Sequence, residues 1–183
     1  EAGVRLIEEI KDEIMYLESI INALDIATTE NDLNNIKEEL IITGYIKKNS
    51  KSKSKDNKNN KPLHYISSDG FDMYVGKNNL QNDELTFKFA SNSDWWFHAK
   101  QMPGSHVIVK TNGKELPDRT FEEAAALAAY YSKGRDLDKV EVDYVLKKEV
   151  KKPAAAKPGF VVYYTNYSLI AIADIKGIKE VTG

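Results

Sequence analysis

Two histidines, two tryptophans and two lysines fall within residues 93–110, SDWWFHAKQMPGSHVIVK, on either side of one Pro-Gly turn. Imidazole, indole, ammonium, carboxylate and hydroxyl groups at that density can stack on bases, donate to phosphates or move protons in a hydrolytic site. Residues 94–100 alternate as an extended strand, which sets Trp95, Phe97 and Ala99 on one face and Asp94, Trp96, His98 and Lys100 on the other. Pro103 fixes φ and Gly104 accepts conformations closed to other residues. Residues 105–111, rich in β-branched side chains, are therefore expected to return as a second strand, with His98 and His106 near one end of the hairpin beside Ser105 and Lys100. A face carrying Trp, His, Lys, Asp and Ser suits RNA, which needs stacking planes, donors and positive charge together.

Other chemistries compete for the same residues. Core packing would use the aromatics as filling and one histidine as a satisfied buried imidazole. Hydrolysis would need Asp94, His98, Ser105 and His106 as nucleophile, base and orienter within mutual hydrogen-bond reach, and no nucleophile-elbow glycines surround Ser105. A metal would need His98 and His106 plus carboxylates that the spacing does not single out, because the chain has three histidines and no cysteine. The spacing assigns no catalytic residue, no metal ligand and no cofactor.

The elements that must position this hairpin are also legible. Residues 63–67 and 71–75 bracket Ser68-Asp69-Gly70, a hairpin turn signal. Gly76 and Lys77 lead into a helix over about 80–89, with Asn78 or Asn79 as its cap, and a helix start of that kind can hold a phosphate on its backbone N–H groups. It is not a Walker or Rossmann loop, since neither spacing is present. Thr120 with Glu123 reads as a capping box opening an alanine-rich scaffold helix to about Lys133, ended by Gly134. Strands are expected over 139–146, 160–165 and 168–173. Between the first two lies a basic loop, 147–159, whose Lys151, Lys152 and Lys157 are candidate phosphate contacts because strands hold it on both sides.

Charge divides the chain. The total is 26 Lys plus Arg against 28 Asp plus Glu, but residues 1–46 carry 3 basic and 11 acidic side chains while 47–61 carry 7 lysines against Asp56. An acidic arm repels phosphates and suits a basic protein surface, whereas a lysine run can meet RNA by releasing counterions. Within the arm, Ile7, Ile10, Ile14, Leu17, Ile21 and Leu24 step by three and four as a coiled-coil seam. Thr29 with Asp32 forms a capping box for a second helix to about Thr43, stopped by Gly44 and using Leu33, Ile36 and Leu40. That helix is too short to cover the first, so the seam is expected to pack on a helix outside this chain or on a second copy. Residues 49–60, NSKSKSKDNKNN, hold almost nothing apolar and read as a flexible loop. There is no apolar run long enough to cross a membrane, and 42% hydrophobic residues suffice for a globular core.

Several separated motifs resemble the NFACT-R domain, once catalogued as a domain of unknown function. They are Ser68-Asp69-Gly70-Phe71, Val75-Gly76-Lys77-Asn78-Asn79, Asn82-Asp83, Asp94 to Lys100 as DWWFHAK, and Pro103 to Ile108 as PGSHVI. Val142-Asp143-Tyr144, Val150-Lys151-Lys152-Pro153, Lys157-Pro158-Gly159 and Val161-Val162-Tyr163-Tyr164 continue the order. The likeness covers about 63–173, and the preceding segment resembles the end of the family's coiled-coil middle module. The resemblance implies a piece of an RqcH-like, ribosome-associated quality-control protein. Such proteins bind large ribosomal subunits blocked by peptidyl-tRNA and recruit alanyl-tRNA for template-free alanine tailing of the stalled chain. It further implies modules outside this chain, so this chain alone is not expected to support tailing. Gram-positive members are also described as fibronectin-binding proteins.

The sequence therefore predicts an α+β fold, a mainly antiparallel sheet with two helices, preceded by an acidic coiled-coil arm. The expected division is 1–46 arm, 47–62 lysine-rich loop and 63–183 RNA-binding domain. The expected function is non-catalytic rRNA and tRNA binding in the cytoplasm, through Lys77, Asn78, Asn79, Asp94, Trp96, His98, Lys100, Ser105, His106, Lys151, Lys152 and Lys157. Ribosomal proteins are expected to meet the arm. A fibronectin-binding adhesin and an RNA-processing hydrolase using His98 and His106 are the alternatives.

Overall fold

The computed structural model describes residues 1–50 and 60–183, so most of the low-complexity stretch expected to be flexible lies outside the described residues. Two helices, α1 (Ala2–Ile26) and α2 (Glu30–Ile42), precede a seven-stranded, wholly antiparallel sheet. The strands are β1 (Leu63–Ile66), β2 (Asp72–Val75), β3 (Trp95–Ala99), β4 (Val107–Val109), β5 (Val140–Leu146), β6 (Tyr167–Ala171) and β7 (Lys179–Glu180), in the spatial order β6-β5-β3-β4-β2-β1-β7. Two further helices, α3 (Asn79–Glu84) and α4 (Asp118–Tyr130), lie against it. The α+β architecture is the one read from the sequence.

Alternation along β3 sorts the two sheet faces. Phe97 and Ala99 join Met73, Val75, Val107, Val109 and Val142 under α4, whose Ala124, Ala125, Ala128 and Ala129 are small enough to let the helix lie close. Trp96 points the other way, into a cluster with Ile108, Val145, Val150 and Leu85. That second face is roofed by α3, by a single π-helical turn continuing it (Leu85–Phe89), and by residues 150–163. The cap Asn78 accepts from the Gln81 N–H at 2.9 Å, as an Asn at a helix start should.

Two local readings need correction. Thr120 does not cap α4, which starts at Asp118 after Pro117. Its hydroxyl instead donates to Asp69 (2.8 Å) and lies 3.0 Å from the Ser67 hydroxyl, and Glu123 accepts from the Ser68 N–H at 2.9 Å, so this supposed cap pins the β1–β2 turn. Residues 160–165 form no strand, only a single bridge between Val162 and Lys151. Val161 and Tyr163 of that run pack under the sheet around Trp96 instead of extending its edge. The two-residue strand β7, which pairs with β1, carries no signal of its own in the sequence.

In the arm, the Thr29–Asp32 capping box forms and Gly44 follows the C-cap with φ 86. α1 buries Tyr16, Ile20, Ala23 and Ile26 rather than its heptad stripe, and Ile36 of α2 packs with the first three. Leu33, expected inside, is exposed. Ile7, Ile10, Ile14, Leu17, Ile21 and Leu24 remain 38% to 57% exposed. The lower arm nevertheless joins the sheet: Ile26 belongs to the main core cluster, Asn22 donates to the Tyr131 carbonyl, and Lys133 pairs with Glu18. Among the described residues, no helix is long and apolar enough to cross a membrane.

Candidate nucleic-acid interface

The predicted hairpin exists, with Trp95, Trp96 and Phe97 opposite Val109, Ile108 and Val107. It brings His98 and His106 together, ring centroids 5.6 Å apart, with Trp96 at 5.6 Å from one and 5.2 Å from the other. Its polar face is not open. Trp96 is 0% exposed, so it cannot serve as a stacking plane for a base, and its indole N–H has no hydrogen-bond partner among the described residues. The roof built by α3 and residues 150–163 is what hides it.

His106 is held as a neutral ring. Its Nε2 donates to the Gly159 carbonyl at 3.2 Å, which leaves Nδ1 to accept from the Thr86 hydroxyl at 2.8 Å, and its backbone N–H donates to Asn82 Oδ1. Burial, with His98 and Lys152 nearby, holds its pKa well below the ordinary imidazole value. His98 keeps an edge to solvent. Burial pulls its pKa down to about 4, against the attraction of Asp143, its register partner on β5. Asp143 in turn accepts from Tyr163 (2.6 Å) and Ser168 (2.7 Å). Both ring nitrogens of His106 are thus committed to structural hydrogen bonds. Ser105 is buried, with its backbone N–H on the Tyr131 carbonyl. Among the described residues, no three His, Asp or Glu side chains gather in a way that could hold a metal ion.

Asp94 closes the opposite end of the hairpin. It is buried, and it accepts from Lys110 Nζ (2.5 Å), the Ser91 N–H (2.7 Å) and the Thr111 N–H (3.0 Å), which fixes the two strand ends. Lys100 pairs with the exposed Glu141 at 3.0 Å, and the pair raises the lysine's pKa through hydrogen bonding and charge.

The group at 77–79 is turned towards the arm. Lys77 Nζ lies 2.7 Å from Asp32 with only 15% of its side chain exposed. Burial works the other way, yet the hydrogen bonds from Lys77 and from the Thr28 N–H hold the Asp32 carboxyl below its ordinary value. Asn79 donates from its backbone to Glu39 Oε1 (3.1 Å) and from Nδ2 to Glu39 Oε2 (3.0 Å) and Ser19 (2.8 Å). Tyr16 completes the set by donating to Glu39 at 2.6 Å. With the Asn78 side-chain oxygen on the cap, the group at 77–79 is engaged chiefly by Asp32 and Glu39 of the arm rather than presented on an open surface.

The basic loop behaves differently. Lys152 is the clamp: its Nζ reaches Asp83 at 2.9 Å and the carbonyls of Lys157 and Phe160 at 2.7 and 3.0 Å. Gly159, at φ 81, donates to Asp83 as well, and an added Cβ would stand 2.5 Å from Asn79 Oδ1. Lys151, whose one partner among the described residues is the Lys148 carbonyl, is exposed, as is Lys148. Lys157 is exposed too, over the rings of Tyr16 and Tyr45 at 5.0 and 5.8 Å. Phe160 and Tyr164, which sequence reasoning passes over as strand filling, are 47% and 89% exposed. Only their alternation with the inward Val161 and Tyr163 could have flagged them.

Residues 61–165 match the family model of the NFACT protein RNA binding domain, and residues 2–59 match that of the NFACT N-terminal and middle domains. The chain is 48% identical over 159 residues to the Rqc2 homolog RqcH of Streptococcus suis, covering 86% of this chain and 28% of that protein. It is 40% identical over 176 residues to the Rqc2 homolog RqcH of Bacillus subtilis, covering 95% of this chain and 30% of that one. An archaeal homolog from Methanocaldococcus jannaschii matches at 26% over 128 residues, 62% of this chain and 19% of that protein. The chain thus spans less than a third of the length of these relatives. A solved structure, the C-terminal part of the fibronectin/fibrinogen-binding protein from Streptococcus suis, superposes with a TM-score of 0.88 at 44% identity, covering 96% of this chain and 71% of that one.

Proposed function

We propose, from the premise that this chain belongs to the NFACT family, that it is the RNA-binding module of a ribosome-associated quality-control factor. In that role the whole protein binds obstructed large ribosomal subunits and recruits alanyl-tRNA for alanine tailing of stalled chains, in the cytoplasm. The module binds rRNA or tRNA without catalysis. The observation that carries this reading is the match to the RNA-binding family across 61–165, the stretch that contains the clamped loop presenting Lys148, Lys151 and Lys157. His98 and Lys100, at the open edge of the hairpin, are the remaining candidates from its polar face. The non-catalytic reading is supported by His106, whose ring nitrogens are both engaged.

On this reading residues 1–46 are the arm, 47–62 the connection and 63–183 the RNA-binding domain. The arm's acidic side chains suit basic ribosomal proteins, and its exposed seam suits self-association, since each such side chain stabilises by about 1.5–3 kcal/mol when buried. Sedimentation at rising concentration tests the latter, and a strictly monomeric chain would refute it. For the main reading, the full-length protein is recovered from cells under conditions that preserve ribosomes, and copurifying RNA is sequenced. Large-subunit rRNA and tRNA are expected; their absence overturns the reading. The name of the Streptococcus suis structural relative favours fibronectin binding as a second reading, tested by titrating immobilised fibronectin with this chain.

A further inference from the structure

Resting on the reading that this domain binds RNA, we infer that Phe160 and Tyr164 form a stacking platform for unpaired bases of single-stranded RNA, with Lys148 and Lys151 holding its phosphates. Residues 150–152 and 161–163 run alongside each other through two reciprocal backbone hydrogen bonds between Lys151 and Val162, both 2.9 Å. Alternation across this short ladder sends Val150, Val161 and Tyr163 into the cluster around Trp96. The same alternation leaves Lys151, Phe160 and Tyr164 on the outer side, all exposed. Phe160 and Tyr164 are four residues apart, about 13 Å in extended chain, which places two rings along one path rather than in one cluster.

The platform is rigid from beneath. Tyr163 is tied to Asp143, Lys152 grips the Phe160 carbonyl, and Gly159 is tied to Asp83. A tyrosine 89% exposed between such anchors is held out in water by its neighbours rather than by any contact of its own. Charge selects the partner. Residues 147–159 carry Lys147, Lys148, Lys151, Lys152 and Lys157 against the one carboxylate Glu149, a surplus that attracts a polyanion. Exposed rings beside unneutralised ammonium groups are what single-stranded nucleic acid uses, because every base has a π face whereas paired bases hide theirs.

The test uses the full 183-residue chain with two fluorescein-labelled probes, a short oligouridylate and a blunt RNA duplex of the same length, read by anisotropy over a salt series. Phe160→Ala with Tyr164→Ala is expected to weaken oligouridylate binding about tenfold or more, with the duplex and the salt slope little changed. Tyr164→Phe, which keeps the ring, is expected to bind as the parent does. Lys148→Ala with Lys151→Ala is expected to weaken both probes and to flatten the single-strand salt slope by about 0.7 for each phosphate no longer neutralised. The inference is overturned if the aromatic variant binds oligouridylate as well as the parent, or loses both probes equally. Should the parent bind neither probe, the RNA reading falls with it. A parent whose binding depends on the lysines but not on the rings overturns the platform alone. Far-UV spectra confirm the fold, and Tyr164→Ala alone, at the most exposed position, repeats the test with the least structural disturbance.

Discussion

Residues 77–79 and residues 147–157 use similar side chains for opposite purposes. Lys77, Asn78 and Asn79 sit at a helix start and look like an anion site, yet Asp32 and Glu39 from the arm neutralise and bury them. The lysines of the loop occupy an irregular segment, and Lys148, Lys151 and Lys157 remain exposed. The difference lies in where the carboxylates are. A cation whose partner arrives from another element is an architectural clasp, whereas one whose only neighbours are carbonyls and rings stays available to a polyanion.

The comparison breaks most readily at Glu39, which is 0% exposed and accepts from Tyr16 and from both donors of Asn79. Glu39→Ala leaves the buried Asn79 N–H without an acceptor and takes a charge-assisted bond from Tyr16 and from Asn79 Nδ2, which keep only Thr43 and Ser19, so a loss of about 2–3 kcal/mol of unfolding free energy is expected. Urea denaturation measures it, and a midpoint near the parent's would mean that the arm is not clasped to the sheet.

That clasp was not legible in the sequence. Glu39 lies in an acidic arm that reads as solvated, and its partner Asn79 is 40 residues away. Local signals fared better: the Thr29–Asp32 box, the Asn78 cap, the Gly70 turn and the 93–110 hairpin each depend on a few adjacent residues. Thr120 failed for the same reason Glu39 did, since its hydroxyl serves a turn more than fifty residues earlier. Alternation sorted the two faces of β3 correctly, but it says only that a face differs from its opposite, and not whether a later segment covers it. Here residues 150–163 do, which turned Trp96 from a candidate surface into core.

Acid is expected to destabilise the fold through the two histidines of the covered face. The ordinary imidazole value is 6.5 and His98 in the fold is held at about 4. Below pH 6.5 the unfolded chain therefore takes up a proton that folded His98 refuses, and stability falls as pH drops from 6.5 towards 4. His106, also depressed, adds to the same slope. In His98→Gln the slope of unfolding free energy over that window is expected to be shallower; an unchanged slope would place His98 in water.

Gly159 joins the two regions, because its backbone donates to Asp83 while its missing Cβ makes room for Asn79. Gly159→Ala at φ 81 is expected to cost about 1–3 kcal/mol. It should also loosen the loop enough to weaken RNA binding, although the substituted residue itself offers a phosphate only a backbone. A stable variant with parental affinity would show that the loop needs no anchor at Asn79.

The smallest effects separate two adjacent lysines. Lys152 reaches Asp83 and two carbonyls, so Lys152→Ala removes charge-assisted hydrogen bonds from a half-buried clamp and should cost about 1–2 kcal/mol. Lys151 has one exposed hydrogen bond, to the carbonyl of Lys148, and Lys151→Ala is expected to change stability by less than about 0.5 kcal/mol. Affinity for RNA should report the reverse emphasis. Loss of Lys151 removes a free ammonium and lowers the salt dependence of binding, whereas loss of Lys152 acts only through the loop's position and leaves that slope nearly intact. Measuring both variants by denaturation and by salt-dependent anisotropy separates the two roles. If Lys151 proves the stabilising residue and Lys152 the salt-sensitive one, the division between clasp and RNA-facing surface within this loop is wrong.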